Sequence, residues 1–524
     1  MRDFHQPGRS AVYATNGMCA TSHPLAAKVA VQMMEAGGNA MDAAIAGAVL
    51  LGFCEPQMTG LGGDCFVLMT PPGEDRVVAL NGSGRAPAGI DADKLRAKGD
   101  AIALFSADAV TVPGAVDAFC KLSKDWGNLG LKAVLAPSIH YAENGIPVAE
   151  RVASDWVGGM GNLSGVARDM FLLGGEPPKP GQMFTAPKQA EVLRRIAMEG
   201  RAGFYEGEVA EDMVASLNAL GGTHTLDDFA NTACEYTAPI TGNYAGLDLF
   251  EHPPNGQGAT AILLLNMLKH FDIAGMDPWG SERAHIEAEA TKLAYDVRNK
   301  FMADPDYMNR LDYMTSPETA EKFAGLIDPK RVLPAGFSGV EATHKDTIYI
   351  TVVDKDRMCV SLIFSIFKDF GAGIASDKFG VLFQNRGAGF TLEPGHPNEA
   401  GPGKRPMHTI IPAILKKNNK VYMPFGVMGG QYQSTGHARF VTNITDFGLS
   451  PQAAIDGPRC FAEMNKLNVE DGYSDTVKAE LSAIGHDVQK PQTAIGGAQA
   501  ILLHENGVLE GGSDPRKDGC AIGY

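Results

Sequence analysis

The sequence lacks any long apolar run. The longest nearly uninterrupted one, Ala43 to Cys54, falls well short of the roughly 20 residues that a helix needs to cross a bilayer. The first ten residues, MRDFHQPGRS, have neither the apolar core nor the small-residue cleavage pattern of a secretory signal. We therefore expect a cytoplasmic protein.

Cysteine is scarce, and no block of charge of one sign occurs. The eight cysteines among 524 residues stand singly, without a CxxC pair, which in a large chain favours free thiols over a disulfide framework. Acidic and basic residues are interspersed, and the net charge of −16 argues against nucleic acid or an anionic membrane as a partner. The hydrophobic fraction of 44% suffices for a large core.

Several widespread catalytic signatures are also absent. The sequence contains no Walker loop, no HExxH motif and no GxSxG elbow. Its glycine-rich stretch around Gly60, Gly62 and Gly63 stands before a predicted strand rather than after one. That order disfavours a dinucleotide site, in which the glycines follow the strand.

One predicted helix carries potential metal ligands, namely His285, Glu287 and Glu289. Their two-residue spacing puts consecutive members on different faces of a helix, whereas the ligands of a metal must converge. We predict a solvated helix surface at this point, and we expect the protein to need neither a metal nor an organic cofactor.

The patterns that are present divide the chain at a linker rich in proline, glycine and charge, residues 327–346. Before it, apolar periodicity predicts helices over 23–54, most of 111–220 and the amphipathic stretch 281–301. After it, β-branched and aromatic runs predict two hairpins, TIYITVVD with MCVSLIFSIF and TIIPAILKK with KVYMPFGVMGG. The first pair is apolar at nearly every position, which is typical of a sheet covered on both faces. We predict an α+β fold with four αββα layers rather than a doubly wound Rossmann sheet.

Thr347 stands where the linker becomes a strand, in the segment HKDTIYITVVDKD. A threonine hydroxyl is a weak nucleophile unless a base removes its proton. If the chain were cut between Asp346 and Thr347, the new α-amine would lie beside that hydroxyl. An α-amine has a pKa of about 8, so a single residue could supply both the nucleophile and the base.

The segment DTIYITVVDKD, the elements FGAG, GKRP and VMGG, and the early run GGNAMDAAIA…MTGLGGD together resemble the gamma-glutamyltranspeptidase family of N-terminal nucleophile hydrolases. The resemblance spans nearly the whole chain and is nearest to the branch that includes oxamate amidohydrolase. It implies a precursor that cleaves itself before a threonine, here into residues 1–346 and 347–524. The two fragments would stay together as a heterodimer within one αββα unit, with a dimer of heterodimers as the alternative.

The resemblance also implies roles for individual residues. Thr347 aligns with the catalytic threonine, and Ser365 with a second hydroxyl that hydrogen-bonds the nucleophile. Gly429 and Gly430 match the glycine pair whose backbone N–H groups form the oxyanion hole.

Departures from the family pattern bear on the substrate. The family's arginine that holds the glutamyl carboxylate is replaced by Ser83, its asparagine after the second hydroxyl by Phe367, and its ammonium-binding aspartate by Gly389. Ile348 follows the nucleophile where the family has threonine. Acceptors for an ammonium group are thus lost, while cationic or donor groups remain. The residues expected to bind substrate are Arg85, Asn385, Arg386, His408 and Thr409.

These changes predict a hydrolase for a small amide that bears a carboxylate, acting through an acyl-enzyme that water, or an amino-acid acceptor, releases. One alternative is a true glutathione hydrolase or γ-glutamyl transpeptidase. A second is an unprocessed, non-catalytic binding protein that keeps the fold.

Overall fold

The computed structural model describes His5 and residues 8–334, 347–463 and 466–524. Asp346 and most of the predicted linker therefore lie outside the described residues. Within them, no helix is both long enough and apolar enough to cross a bilayer.

Among the described residues, the strands form two large sheets and two small ones. In chain order they are β1 Val12–Ala14, β2 Met18–Thr21, β3 Asp64–Thr70, β4 Val78–Gly82, β5 Ile146–Pro147, β6 Met183–Phe184, β7 Glu235–Thr237, β8 Ile240–Tyr244, β9 Leu247–Glu251, β10 Ile348–Val353, β11 Cys359–Ser365, β12 Ala413–Lys417, β13 Lys420–Met428, β14 Cys460–Glu463, β15 Lys466–Val469, β16 Asp487–Gln489, β17 Gly497–Leu503, β18 Leu509–Ser513 and β19 Cys520–Gly523. One seven-stranded sheet has the order β1-β18-β17-β13-β12-β9-β8, and the other β19-β2-β10-β11-β3-β4-β7. Each contains strands from both sides of residue 347.

The α-helices are α1 Pro24–Glu35, α2 Ala40–Cys54, α3 Ala92–Arg96, α4 Ala115–Trp126, α5 Leu131–Asn144, α6 Glu150–Gly159, α7 Gly165–Phe171, α8 Pro187–Glu199, α9 Ala202–Tyr205, α10 Gly207–Ala219, α11 Leu226–Ala230, α12 Gly258–Leu268, α13 Ser281–Phe301, α14 Leu311–Thr315, α15 Pro317–Ala324, α16 Gln433–Thr445, α17 Pro451–Asp456 and α18 Asp475–Ile484. Helix α2 packs on β10 and β11, and α12 and α16 pack on the other sheet, at β8 and β13. The two sheets face each other through β10 and β13. The predicted αββα layering is confirmed.

Successive side chains of the central strands point to opposite faces of the sheet, so they enter alternately the core beneath the helices and the core between the two sheets. On β10, Ile348 and Ile350 pack into the core beneath the helices, whereas Tyr349 enters a small cluster between the sheets. Ile363 of β11 and Met428 of β13 join that inner cluster. Both predicted hairpins form, with Ile348 opposite Phe364 and Ala413 opposite Phe425. Odd-numbered positions at this end of the first hairpin therefore face the space between the sheets.

The prediction of a solvated surface on α13 is wrong. The helix has the predicted bounds, but His285, Glu287 and Glu289 are all buried. Glu287 is held by two buried arginines, Arg283 at 2.8 Å and Arg439. His285 and Glu289 are four residues, about one turn, apart and therefore lie on the same face of α13. The sequence argument considered only the two-residue steps from His285 to Glu287 and from Glu287 to Glu289, and so it missed this pair.

Candidate active site

Thr347 lies immediately before β10, and Ser365 closes β11. Because Ile348 is opposite Phe364, the pairing of the two strands brings these hydroxyls together. The Thr347 hydroxyl donates a hydrogen bond of 3.3 Å to Ser365 Oγ, and Ser365 Oγ also accepts from the backbone N–H of Phe367 at 2.9 Å. Both hydroxyl residues are buried. The hairpin thus provides a fixed pair of hydroxyls between the sheets.

Gly429 and Gly430 follow β13 on the facing sheet and lead into α16 through one 3₁₀ turn. Both have positive φ, 120° and 53°. A Cβ on Gly429 would stand 2.8 Å from Gly496 Cα, so the close approach of backbone to backbone requires glycine here. The next residues of the chain are helical, and the positive end of a helix dipole favours a negative charge nearby.

A buried arginine supports the glycine turn. Arg298, on α13, donates from Nη1 to the side-chain oxygens of Gln257 at 2.7 Å and Gln431 at 2.6 Å. Gln257 in turn donates to the carbonyls of Thr409, at 2.6 Å, and Gly430, at 3.2 Å. Burial lowers the pKa of Arg298 to about 10. The sequence analysis missed Arg298 and both glutamines, because charged and amide side chains on a helix or turn are usually solvated.

Arg386 is the most unusual side chain near the hydroxyl pair. It is fully buried, its guanidinium carbon lies 4.4 Å from the centre of the Phe367 ring, and its Nη1 reaches Thr409 Oγ1 at 3.4 Å. Its Nε and Nη2 have no hydrogen-bond partner among the described residues. Burial lowers its pKa to about 9, since desolvation disfavours the charged form.

Asn385 fixes the segment that carries Arg386. Its backbone N–H donates to the Ile366 carbonyl at 3.2 Å, and its Oδ1 accepts from the Lys368 N–H at 3.0 Å. The segment is therefore tied to the chain that follows Ser365. Asn385 Nδ2 has no hydrogen-bond partner within the described part of the chain.

His408 and Asp64 form a second polar pair beside the hydroxyls. Asp64 is opposite Ser365 in the pairing of β3 with β11, and its carboxylate is 3.2 Å from His408 Nε2. The same nitrogen is 2.8 Å from Ser83 Oγ. Burial, followed by the charge of Arg386, lowers the pKa of His408 to about 3, so the imidazole is neutral in the working range. Asp64 was not among the expected site residues, although it ends the quoted run GLGGD.

Arg85 is engaged elsewhere. Its side chain is 38% exposed and lies 3.4 Å from Asp304 and 3.8 Å from Glu235. It also donates to the Gly403 carbonyl at 2.9 Å. These contacts do not connect it with Arg386 or with the hydroxyl pair, whereas Asn385, Thr409 and His408 are all connected to that cluster.

Comparison with known proteins identifies the family of the chain. The family model described as Gamma-glutamyltranspeptidase matches residues 26–524. The chain is 35% identical to the glutathione hydrolase-like YwrD proenzyme of Bacillus subtilis, covering 98% of this chain and 99% of that protein. It is 33% identical to the oxamate amidohydrolase proenzyme of Klebsiella pneumoniae, with the same coverage.

Among solved structures, cephalosporin acylase from Bacillus halodurans superimposes with a TM-score of 0.92 at 36% identity, covering 100% of this chain and 99% of that one. The family match spans the site as well as the core. The chain is therefore a member of the gamma-glutamyltranspeptidase family of N-terminal nucleophile hydrolases.

Proposed function

We propose that the protein cleaves its own chain before Thr347. Thr347 Oγ attacks the Asp346 carbonyl carbon, the C–N bond breaks as the acyl group moves to oxygen, and water hydrolyses the resulting ester. The products are residues 1–346 with a carboxyl end and residues 347–524 with a free α-amine. The buried hydroxyl pair supports this step, and so does the word "proenzyme" in the names of the relatives. Because both large sheets contain strands from both fragments, we expect the fragments to stay associated.

In turnover, Thr347 Oγ attacks the substrate amide while the α-amine accepts its proton and passes it to the leaving amine. Ser365 accepts the hydrogen bond that orients the hydroxyl. The N–H groups of Gly429 and Gly430 stabilise the oxyanion, and Arg298 holds that turn through its two glutamines. Water then attacks the acyl-enzyme ester and releases the acid.

The substrate that we propose is a small amide whose acyl group ends in a carboxylate. The observation that carries this proposal is Arg386, a fully buried guanidinium with two nitrogens lacking a partner among the described residues. Planar guanidinium groups bind carboxylates through two parallel hydrogen bonds, and such bonds are strong where water is excluded. A bound carboxylate would compensate a charge that burial otherwise disfavours.

The same surroundings disfavour a γ-glutamyl group, which carries an ammonium beside its carboxylate. Asp64 Oδ1 already accepts from the N–H groups of Gly84 and Gly114, each at 2.9 Å. The one oxygen of Asp64 without a hydrogen-bond partner among the described residues is Oδ2, which lies 3.2 Å from His408 Nε2. The oxamate named for one relative is itself an amide with a carboxylate. The name of the other relative, glutathione hydrolase-like, makes γ-glutamyl cleavage the second candidate.

The test is a panel of p-nitroanilides with matched acyl groups: glutaryl, γ-L-glutamyl and butyryl. Glutaryl and γ-glutamyl differ only by the ammonium, and butyryl lacks the carboxylate. We expect kcat/KM to be highest for glutaryl, by at least about tenfold over each of the others, since an unpaired buried polar group is costly. A preference for γ-glutamyl would overturn the proposed substrate and leave self-cleavage standing. No release from any of the three by a cleaved protein would count against the hydrolase itself.

A further inference from the structure

A second cluster of chemically active side chains lies away from the hydroxyl pair. His285 and Glu289 stand one turn apart on α13, and His486 lies between α18 and β16. One ligand atom from each of the three lies within 4.8 Å of the others, and all three side chains are buried. Histidine and glutamate are the usual nitrogen and oxygen ligands of zinc-like metals.

The hydrogen bonds of His285 leave a lone pair directed at the cluster. Its Nε2 lies 2.8 Å from the Asp328 carbonyl oxygen, which can only accept, so Nε2 carries the hydrogen. Nδ1 is then unprotonated and lies 2.8 Å from His486 Nε2. Metal-binding histidines generally donate their second N–H to a carbonyl or carboxylate in this way, which fixes the ring and its tautomer.

Glu289 completes the set, and a cation already lies beside it. Lys292 Nζ is 2.6 Å from one carboxylate oxygen, and the Leu333 backbone N–H donates to the other at 2.6 Å. The Lys292 side chain is partly exposed and can turn to solvent. An ammonium that neutralises this carboxylate is a competitor for a metal ion at the same place.

We propose that His285 Nδ1, His486 Nε2 and a carboxylate oxygen of Glu289 bind one divalent transition-metal ion of the Zn²⁺ class. Metal–nitrogen bonds of about 2.0–2.1 Å in a tetrahedron place two ligand nitrogens about 3.4 Å apart. The two imidazole nitrogens therefore separate by roughly half an ångström. The hydrogen on His486 Nε2 moves to the other nitrogen of that ring, so the neutral imidazoles lose no proton.

The site would join the two fragments, a consequence that rests on the proposed self-cleavage. His285 and Glu289 precede Thr347 in the chain, and His486 follows it. Glu289 also accepts a hydrogen bond from the backbone N–H of Leu333, one residue before the end of the described range 8–334. Metal binding itself needs no cleavage, because the three side chains are in place in the single chain.

The test is titration of metal-stripped protein with ZnCl₂ by calorimetry, with CoCl₂ as a spectroscopic probe, on the wild type and on Thr347→Ala. We expect one ion per chain in both and a visible band of four-coordinate cobalt. His486→Ala should weaken binding by at least about 100-fold, because removing a direct ligand costs more than an outer-shell change. His140→Ala, which removes an exposed histidine, is the matched control and should leave binding unchanged.

Lys292→Met provides a variant that should bind more tightly, roughly tenfold, since it removes the competing charge. It keeps all three ligands, so it answers the question even if His486→Ala fails to fold. Binding of one ion that neither His486→Ala nor Lys292→Met alters would overturn the site, as would the absence of stoichiometric binding. Failure of cleavage in the wild type with metal bound would instead count against the proposed self-processing.

Discussion

Replacing Arg386 by methionine should lower kcat/KM for acidic substrates and leave kcat/KM for neutral ones nearly unchanged. The guanidinium has two unpartnered nitrogens among the described residues, and each charge-assisted hydrogen bond contributes about 1.5–3 kcal/mol. Allowing for desolvation, we expect a net loss of about 2–4 kcal/mol with a carboxylate substrate. Since each 1.36 kcal/mol is a factor of ten, kcat/KM for glutaryl-p-nitroanilide should fall roughly 30- to 900-fold.

The controls for Arg386→Met are built into the assay. The butyryl amide has no carboxylate, so its kcat/KM should change by no more than about threefold. Arg85→Met removes a partly exposed arginine that is paired with the exposed Glu235 and the buried Asp304, and since these contacts do not reach the hydroxyl pair it should change kcat/KM for the two substrates by the same factor. A buried charge replaced by an apolar side chain of similar size is also expected to leave Tm unchanged or raised. Equal losses for glutaryl and butyryl amides would refute the assignment of Arg386 to the carboxylate.

Three further changes test other parts of the account. Ser365→Ala removes the acceptor at 3.3 Å from the Thr347 hydroxyl and should slow both fragment formation and turnover about tenfold. A gel time course measures fragment formation, and an unchanged rate would contradict the role of Ser365. Arg298→Met should lower kcat at least about tenfold with little change in KM, since it releases the two glutamines behind the oxyanion turn; a pure KM effect would contradict this. Burial raises the pKa of the Glu55 carboxyl from 4.5 to about 7, so the folded state binds this proton more tightly than the unfolded state does. The protonated carboxyl therefore contributes stability that is fully present below pH 4.5 and is lost as the pH rises through 7. The Tm of the wild type relative to Glu55→Gln should therefore fall by a few degrees between pH 5 and pH 8, and a constant difference would contradict the shift.

Much of the fold was accessible from local pattern. The hairpin around β10 and β11 follows from two continuous apolar runs, and its short turn sets a register that brings Thr347 to Ser365. The bounds of α13 were predicted from periodicity. The family resemblance supplied the glycine turn, which local pattern alone would leave as an ordinary loop.

The parts of the fold and site that the sequence did not predict depend on contacts between segments far apart in the chain. Asp64 joins the site only because β3 pairs with β11, about 300 residues later in the chain. Arg298 has the sequence pattern of a surface residue, yet α13 is covered by α12, β14 and α18, and the Arg298 side chain is buried. His285 meets His486 across 201 residues, which no spacing rule within one helix could reveal.

The central claim is that scission before Thr347 creates the nucleophile, and intact-mass analysis with N-terminal sequencing tests it most directly. We predict two fragments in purified active protein, the smaller beginning Thr-Ile-Tyr-Ile, and a single uncut chain without activity for Thr347→Ala. Activity from an uncut wild-type chain, or a smaller fragment that begins at another residue, would contradict it.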